Sequence, residues 1–94
     1  MPDLISISNN YPNPFNPSTS FDIRIPKEQK IRIKVVSVFG KHVAEIANQT
    51  VSAGSWTFHW DGTSNSGNTV PSGQYFIVVE SDNFQHWLKA ILLK

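Results

Sequence analysis

A run of prolines near the start of the chain restricts its possible folds more than any other feature. The segment Tyr11-Pro12-Asn13-Pro14-Phe15-Asn16-Pro17 contains three prolines. Each proline fixes φ and removes a backbone N–H, so this segment cannot be a helix or a central strand. The residue before each proline is also pushed toward extended geometry. We therefore predict a stiff, polyproline-like arm over residues 9–18, with Tyr11 and Phe15 as apolar anchors.

Alternating apolar and polar residues after the arm predict β-strands. Residues 20–25 and 30–35 alternate strictly, which is typical of half-buried strands. Val36 breaks this phase, and indicates either a bulge or a strand covered on both faces. Gly40 is expected in a tight turn with positive φ. Residues 41–48 have some helical spacing, but the turn favours a short return strand over residues 42–46.

The second half of the chain continues this pattern. Trp56, Phe58 and Trp60 alternate with polar residues, which predicts a strand that buries all three in the core. Residues 61–73 form a polar loop, residues 75–80 a central strand and residues 84–93 the last strand. The sequence thus predicts an all-β, antiparallel immunoglobulin-like β-sandwich of about seven strands. We expect one domain over residues 1–94, in which residues 1–3 are a linker or added residues.

Composition argues against several classes of function. The 94 residues carry a net charge of +1, and the eight basic residues are spread along the chain rather than clustered as a nucleic-acid surface requires. The absence of cysteine excludes disulfides, thiolate metal sites and a cysteine nucleophile. No apolar run approaches the roughly 20 residues of a membrane-spanning helix. We therefore expect no nucleic-acid partner and no membrane-spanning segment.

Catalytic and metal-binding patterns are weak. The loop from Asp61 to Asn68 has oxygen-bearing side chains at alternate positions but only one carboxylate, so a turn-rich loop is favoured and ion binding stays open. His42, His59 and His86 lie on separate predicted strands, without the spacing of zinc ligands. No nucleophile elbow is present. We expect no catalytic residues, no cofactor and no metal, and hence no enzyme.

The C-terminal segment is unusually apolar for a chain end. Residues 90–93 would cover both faces of a strand, whereas ordinary termini are polar and frayed. Two alternatives stay open and can coexist. The segment closes the sandwich, or it is a recognition strand whose edge pairs with the sheet of a partner. Trp87 alternates in register with Gln85 and Lys89, so we predict it on the outer face.

Several motifs, taken in order, resemble a known family. They are YPNPFNPSTSFDIRIP, VFGKHV, AGSWTFHWDG, SGQYFIVV and the terminal KAILLK. Together they resemble the C-terminal sorting domain of the type IX secretion system of Bacteroidetes and related bacteria. The segment WDGTSNSGNTVPSGQYF is similar to the immunoglobulin-like domain of flagellar hook-capping proteins. The chain departs from the sorting-domain pattern at Trp87-Leu88, where polar or basic residues are typical.

The resemblance implies a secretion-signal module at the end of a longer exported protein. Its partners would be the outer-membrane secretion machinery, a sortase-like protease that removes it, and a parent cargo domain N-terminal to it. It would pass through the periplasm and reach the cell surface or the medium. The expected composite recognition surface has two parts: the arm residues Tyr11, Pro12, Asn13, Pro14, Phe15, Asn16 and Pro17, and the strand residues Lys89, Ile91, Leu92, Leu93 and Lys94.

Two other functions remain open from the sequence. One is a structural or adhesive immunoglobulin-like module, which would act as a spacer or an assembly domain of a surface protein. The other is a carbohydrate-binding accessory domain that would use Trp87 and Tyr75.

Overall fold

The computed structural model describes residues 5–82 and 84–93 as two antiparallel β-sheets. The seven strands are β1 (Ser6–Ile7), β2 (Thr19–Ile25), β3 (Gln29–Ser37), β4 (His42–Val51), β5 (Gly54–Trp60), β6 (Gly73–Ser81) and β7 (Phe84–Leu92). One sheet has the order β1-β2-β5 and the other the order β4-β3-β6-β7. The predicted all-β immunoglobulin-like sandwich is confirmed. The predicted residues 1–3 and Lys94 lie outside the described part of the chain.

The core lies between the inner faces of the two sheets, and in β2 and β3 it follows the sequence alternation. Each strand turns every second side chain inward, and these side chains are fully or almost fully buried: Phe21, Ile23, Ile25, Ile31, Ile33 and Val35. Burying each one contributes roughly 1.5–3 kcal/mol. The central position of β6, between β3 and β7, also agrees with its continuous apolar run.

The break in phase at Val36 has both of the causes that the sequence left open. The register of β3 against β4 shifts between Ile33 and Lys34, and again between Val35 and Val36. Val35 and Val36 are consecutive and both buried, so both faces of β3 are covered there. Val36 pairs with Phe76 of β6, and the ring of Phe76 packs edge-on against Trp87 at 5.6 Å. A small apolar cluster therefore covers part of the outer face of this sheet.

Strand β4 is longer than the predicted segment 42–46. It extends from His42 to Val51 and stays paired with β3 along its length, from Val36↔His42 to Gln29↔Val51. Long-range pairing therefore overrides the weak helical spacing of residues 41–48. The turn before β4 is as predicted, since Gly40 has a φ of 82° and its N–H donates to the Ser37 carbonyl at 2.9 Å.

The prediction that the aromatic stripe of β5 lies in the core is confirmed for Trp60, is met in part by Phe58, which packs against the core, and is wrong for Trp56. Trp60 is 3% exposed, but Phe58 is only half-buried and Trp56 is 40% exposed. The reason is that β5 is an edge strand of the narrower sheet, so its first residues have neighbours on one side only. The indole N–H of Trp56 donates to the Ser52 carbonyl at 2.9 Å instead.

Candidate functional site

The proline-rich arm and the terminal strand are in direct contact. The N–H of Phe15 donates to the Ile91 carbonyl at 2.8 Å, and the N–H of Leu93 donates to the Phe15 carbonyl at 3.0 Å. The side chain of Asn13 adds two hydrogen bonds. Its Nδ2 donates to the Lys89 carbonyl at 3.0 Å, and its Oδ1 accepts from the N–H of Ile91 at 2.9 Å. Residues 13–15 thus pair with the outer edge of β7.

The arm crosses from one sheet to the other. Near its start, Tyr11 and Ser20 exchange two backbone hydrogen bonds of 2.8 Å, which attaches it to β2. Phe15 then attaches it to β7. Because prolines lack an N–H, the backbone donors of the arm are Tyr11, just before the prolines, and Phe15, between two of them. The chain bends at residues 12–14 and 16–17, so the predicted continuous polyproline-like geometry is wrong, although the arm is fixed at both ends.

The two predicted anchors of the arm have different environments. Phe15 is 1% exposed, and its ring lies 5.4 Å from that of Trp60 in the core. Tyr11 is half-exposed, and its hydroxyl donates to the carboxylate of Asp22 at 3.2 Å. Partial desolvation raises the pKa of the Tyr11 phenol above its ordinary value, and the hydrogen bond and negative charge of Asp22 raise it further. Only Phe15 is an apolar anchor in the expected sense.

Polar residues beneath the arm were missed by the sequence reasoning. Thr19 is fully buried, and its hydroxyl donates to the Pro12 carbonyl at 2.9 Å. Asn10 is also buried, and its Nδ2 donates to Thr19 Oγ1 at 3.3 Å. These bonds hold the proline run onto the start of β2. The available signal was a threonine in register with the inward-facing residues of β2, directly after the prolines.

The loop after β5 meets the arm and the terminal strand at one glycine. Gly62 has a φ of 76°, and a Cβ at this position would lie 3.4 Å from the Pro17 carbonyl oxygen and 3.5 Å from a methyl group of Leu92. The positive φ favours glycine at this position, and the distances show that the loop lies within van der Waals reach of both the arm and β7. The Asp-Gly pair in a turn-rich loop was the signal that could have marked this junction.

The rest of the loop bonds to itself and to β4. Asp61 Oδ1 accepts hydrogen bonds from the N–H and the hydroxyl of Thr63, which forms an Asx-type turn within the predicted turn-rich loop. Asn65 accepts from the N–H of Glu45 at 2.8 Å and donates its own N–H to the Val43 carbonyl at 3.3 Å. Over residues 5–82 and 84–93, no three His, Cys, Asp or Glu side chains gather as metal ligands would.

Comparison with known proteins identifies the family. Residues 9–84 match the family model of the FlgD Ig-like domain. The chain belongs to this family. No curated protein sequence matched it.

Two solved structures share the fold of this FlgD Ig-like domain. Dimeric latent PorU from Porphyromonas gingivalis is 22% identical, with a TM-score of 0.72 over 99% of this chain and 10% of that chain. FlgD from P. aeruginosa is 25% identical, with a TM-score of 0.61 over 77% of this chain and 61% of that chain. The domain therefore spans only part of either protein. The resemblances stated from the sequence are confirmed at this level.

This chain exposes some of the predicted recognition side chains and buries others. Phe15 of the arm and Leu92 of β7 lie in the core. The other arm residues are exposed, as are Lys89 and Leu93, and Ile91 is half-buried. The two buried side chains can therefore hold the arm and β7 in place, while the exposed side chains of both segments are available to a partner. No helix in the described part of the chain is long and apolar enough to cross a membrane.

The two sugar-binding candidates point to opposite sides of the sheet. Tyr75 is buried, and its hydroxyl donates to the Pro71 carbonyl at 2.7 Å, whereas Trp87 lies on the outer face as predicted. Burial raises the pKa of the Tyr75 phenol. These two rings cannot stack on one ligand, so the pair proposed for carbohydrate binding is wrong.

Replacing Asn13 with alanine is expected to loosen the arm without unfolding the domain. The substitution removes two hydrogen bonds to β7, each worth roughly 0.5–1.5 kcal/mol. We expect urea denaturation to show that the free energy of unfolding falls by about 1–2 kcal/mol, and we expect the Ile91 amide to exchange faster with solvent. Asn16→Ala is the matched control, because Asn16 is exposed and forms no side-chain hydrogen bond within the described residues. Equal losses in both variants would contradict this assignment.

Proposed function

We propose that this FlgD Ig-like domain is the C-terminal secretion signal of a larger protein exported by the type IX secretion system. The observation that carries the proposal is the hydrogen-bonded contact between the arm and β7. The two segments that most resemble type IX sorting domains in sequence thereby form one surface. The fold shared with latent PorU extends over 99% of the chain and includes both segments.

A fixed relation between these two segments favours recognition physically. A partner that binds a pre-ordered surface does not have to order a flexible chain at the moment of binding, so less free energy is lost. Burial of Phe15 and Leu92 secures each segment from the inside. Their exposed neighbours would then be read by the outer-membrane machinery. A sortase-like protease would act on the parent protein at the surface.

The proposal assigns no catalysis to the domain itself. Ser20 Oγ and His59 Nδ1 lie 2.8 Å apart on an exposed sheet face, where solvent reaches the pair. The nearby carboxylate of Asp22 bonds to Tyr11 and Thr57, and no bond from it to His59 is found in the described residues. A serine hydrolase needs that third group to orient its histidine. These contacts support a structural role for the polar face.

Secretion of a reporter tests the proposal directly. A periplasm-directed fluorescent protein would be fused ahead of residues 1–94 and expressed in a bacterium with a type IX system. We expect it on the cell surface or in the medium, and we expect a version lacking residues 91–94 to stay in the periplasm. Surface delivery of the truncated fusion at normal levels would count against a secretion signal.

Point variants separate recognition from folding, because the truncation also removes the buried Leu92. Leu93→Ser changes a side chain that is 54% exposed, so stability should change by no more than about 0.5 kcal/mol while export falls. Phe39→Ser is the control, since Phe39 is 93% exposed on the turn between β3 and β4, far from the arm in the sequence. Thermal melts of the purified domains would verify that both variants fold.

A structural or adhesive module is the second candidate, and the extent of the family match favours it. The match to the FlgD Ig-like domain ends at residue 84, so it covers β2 to β6 but only the first residue of the terminal strand β7. In that case the domain would be a spacer or an assembly unit. The full-length gene distinguishes the two, because a module that is followed by further domains cannot act as a terminal signal.

A further inference from the structure

The outer edge of β7 has an open half. Pairing of β6 with β7 runs without a register shift from Gly73↔Leu92 to Ser81↔Phe84. In such an antiparallel ladder, alternate residues direct both backbone groups away from the partner strand. Ile91 does so, since its N–H and C=O bond to the arm. By the same alternation, the backbone groups of Gln85 and Trp87 and the N–H of Lys89 face outward.

The arm covers only the C-terminal half of this edge. Its last contact is between Asn13 and the Lys89 carbonyl. Toward the N-terminus of β7, a groove of about 650 Å³ takes the place of the arm. Asn9, Asn10 and Asn13 form one wall, and residues 86–89 form the other. Within the described residues, no hydrogen bond is found to the outward backbone groups of Gln85 and Trp87.

The opposite edge of this sheet, formed by β4, is partly covered. There Asn65 bonds to the backbone of Val43 and Glu45, so part of the edge is closed. An uncovered strand edge is a ready template for pairing with another chain. The open half of β7 thus has unused backbone donors and acceptors, together with space beside them for one more strand.

Charge and aromatic character indicate the kind of segment that fits. Lys89 is the charged residue among those that line the groove, and no acidic side chain of the described residues lines it. The ion pairs formed within the described residues are Arg32–Glu45 and Lys34–Glu80, so Lys89 is available to a carboxylate. Trp87, 49% exposed on the outer face, offers a ring for an apolar side chain.

We propose that this groove binds an extended peptide segment of a partner protein, which adds a strand to β7 along residues 85–89. Its backbone pairs with the outward groups of Gln85, Trp87 and Lys89. A carboxylate of the segment lies beside Lys89, and an apolar residue packs on Trp87. The site lies upstream of the terminal residues 91–94 that the secretion proposal uses, and it does not depend on that proposal.

Peptide titration of the whole chain, labelled with 15N, tests the site. The probes are two capped pentapeptides with strand-forming residues, acetyl-Thr-Val-Glu-Val-Thr-amide and its counterpart with lysine in place of glutamate. We expect the acidic peptide to shift the amide signals of Gln85, Trp87 and Lys89 and to slow their hydrogen exchange. The lysine peptide should bind several-fold more weakly at low salt, because the groove is positive. The proposal is overturned if neither peptide shifts these amides, or if the shifts concentrate on residues 55–59 of the other sheet.

Two pairs of variants identify the contacts. Trp87→Pro removes an outward N–H and is compatible with an edge strand, whereas Trp87→Ala removes only the side chain. We expect the proline variant to bind the acidic peptide about five- to ten-fold more weakly than the alanine variant. Lys89→Glu, which leaves the backbone unchanged, should reverse the preference between the two peptides. Equal binding by both Trp87 variants, or an unchanged preference in Lys89→Glu, would refute strand addition at this site.

Discussion

Phe15→Ala is expected to lower the free energy of unfolding by about 3–5 kcal/mol, the largest effect of any change in the arm. The side chain is 1% exposed and packs on Trp60, so its removal leaves a cavity at the junction of the arm with both sheets. A domain of this size is stable by only about 5–15 kcal/mol, so the loss would be a large fraction of the total.

The same substitution should also release the terminal strand. The backbone of Phe15 bonds to Ile91 and Leu93, and these bonds persist only while the arm is seated. Urea denaturation would measure the loss of stability, and amide exchange of Leu93 would report the release. Phe39→Ala is the matched control, because the exposed ring of Phe39 should contribute no more than about 0.5 kcal/mol. A loss below about 1 kcal/mol for Phe15→Ala would show that the arm does not anchor the sandwich.

Trp60→Ala is expected to lower the free energy of unfolding by about 3–5 kcal/mol. Trp60 lies on β5 and packs in the same aromatic cluster as Phe15. The indole lies between two other rings, with centroids 5.4 Å from Phe15 and 5.3 Å from Tyr75. Its N–H donates to the Thr63 carbonyl at 2.9 Å, which ties the loop after β5 to the core. The substitution therefore removes a large buried area, two ring contacts and one hydrogen bond.

Trp56→Ala on the same strand provides a sharp comparison. Trp56 is 40% exposed, and its indole hydrogen bond to Ser52 is local. We expect the free energy of unfolding to fall by about 1 kcal/mol, the typical contribution of one such hydrogen bond. Chemical denaturation of the two variants should therefore give losses that differ at least two-fold. Similar losses would mean that Trp56 contributes to the core after all, as the sequence alternation alone suggested.

Local patterns predicted much of the sandwich because the physics behind them is local. The alternation in β2 and β3 places their apolar residues on one face, and these residues form the core. The positive φ of Gly40 and the Asx turn at Asp61 also follow from neighbouring residues. Prediction failed where the position of a strand within its sheet mattered. Trp56 and Trp60 have the same spacing, yet only Trp60 is covered.

The candidate site was likewise predictable in part. The sequence marked the proline arm and the apolar last strand as unusual, and it placed Trp87 on the outer face. It could not show that Asn13 would bond to Lys89, which lies 76 positions further along the chain. It predicted Phe15 as an apolar anchor and left open that the last strand closes the sandwich, but it gave no sign that Phe15 packs on Trp60 or that Gly62 lies against both segments.

By itself, then, the sequence determined most of the strands, the turn at Gly40 and the place of the proline arm, because alternation and proline geometry act over a few residues. Only the tertiary structure decided which strands lie at the edges, how far the arm covers β7, and which aromatic rings are buried. Those properties depend on contacts between residues far apart in the chain, and local sequence patterns carry no information about which distant residues will meet.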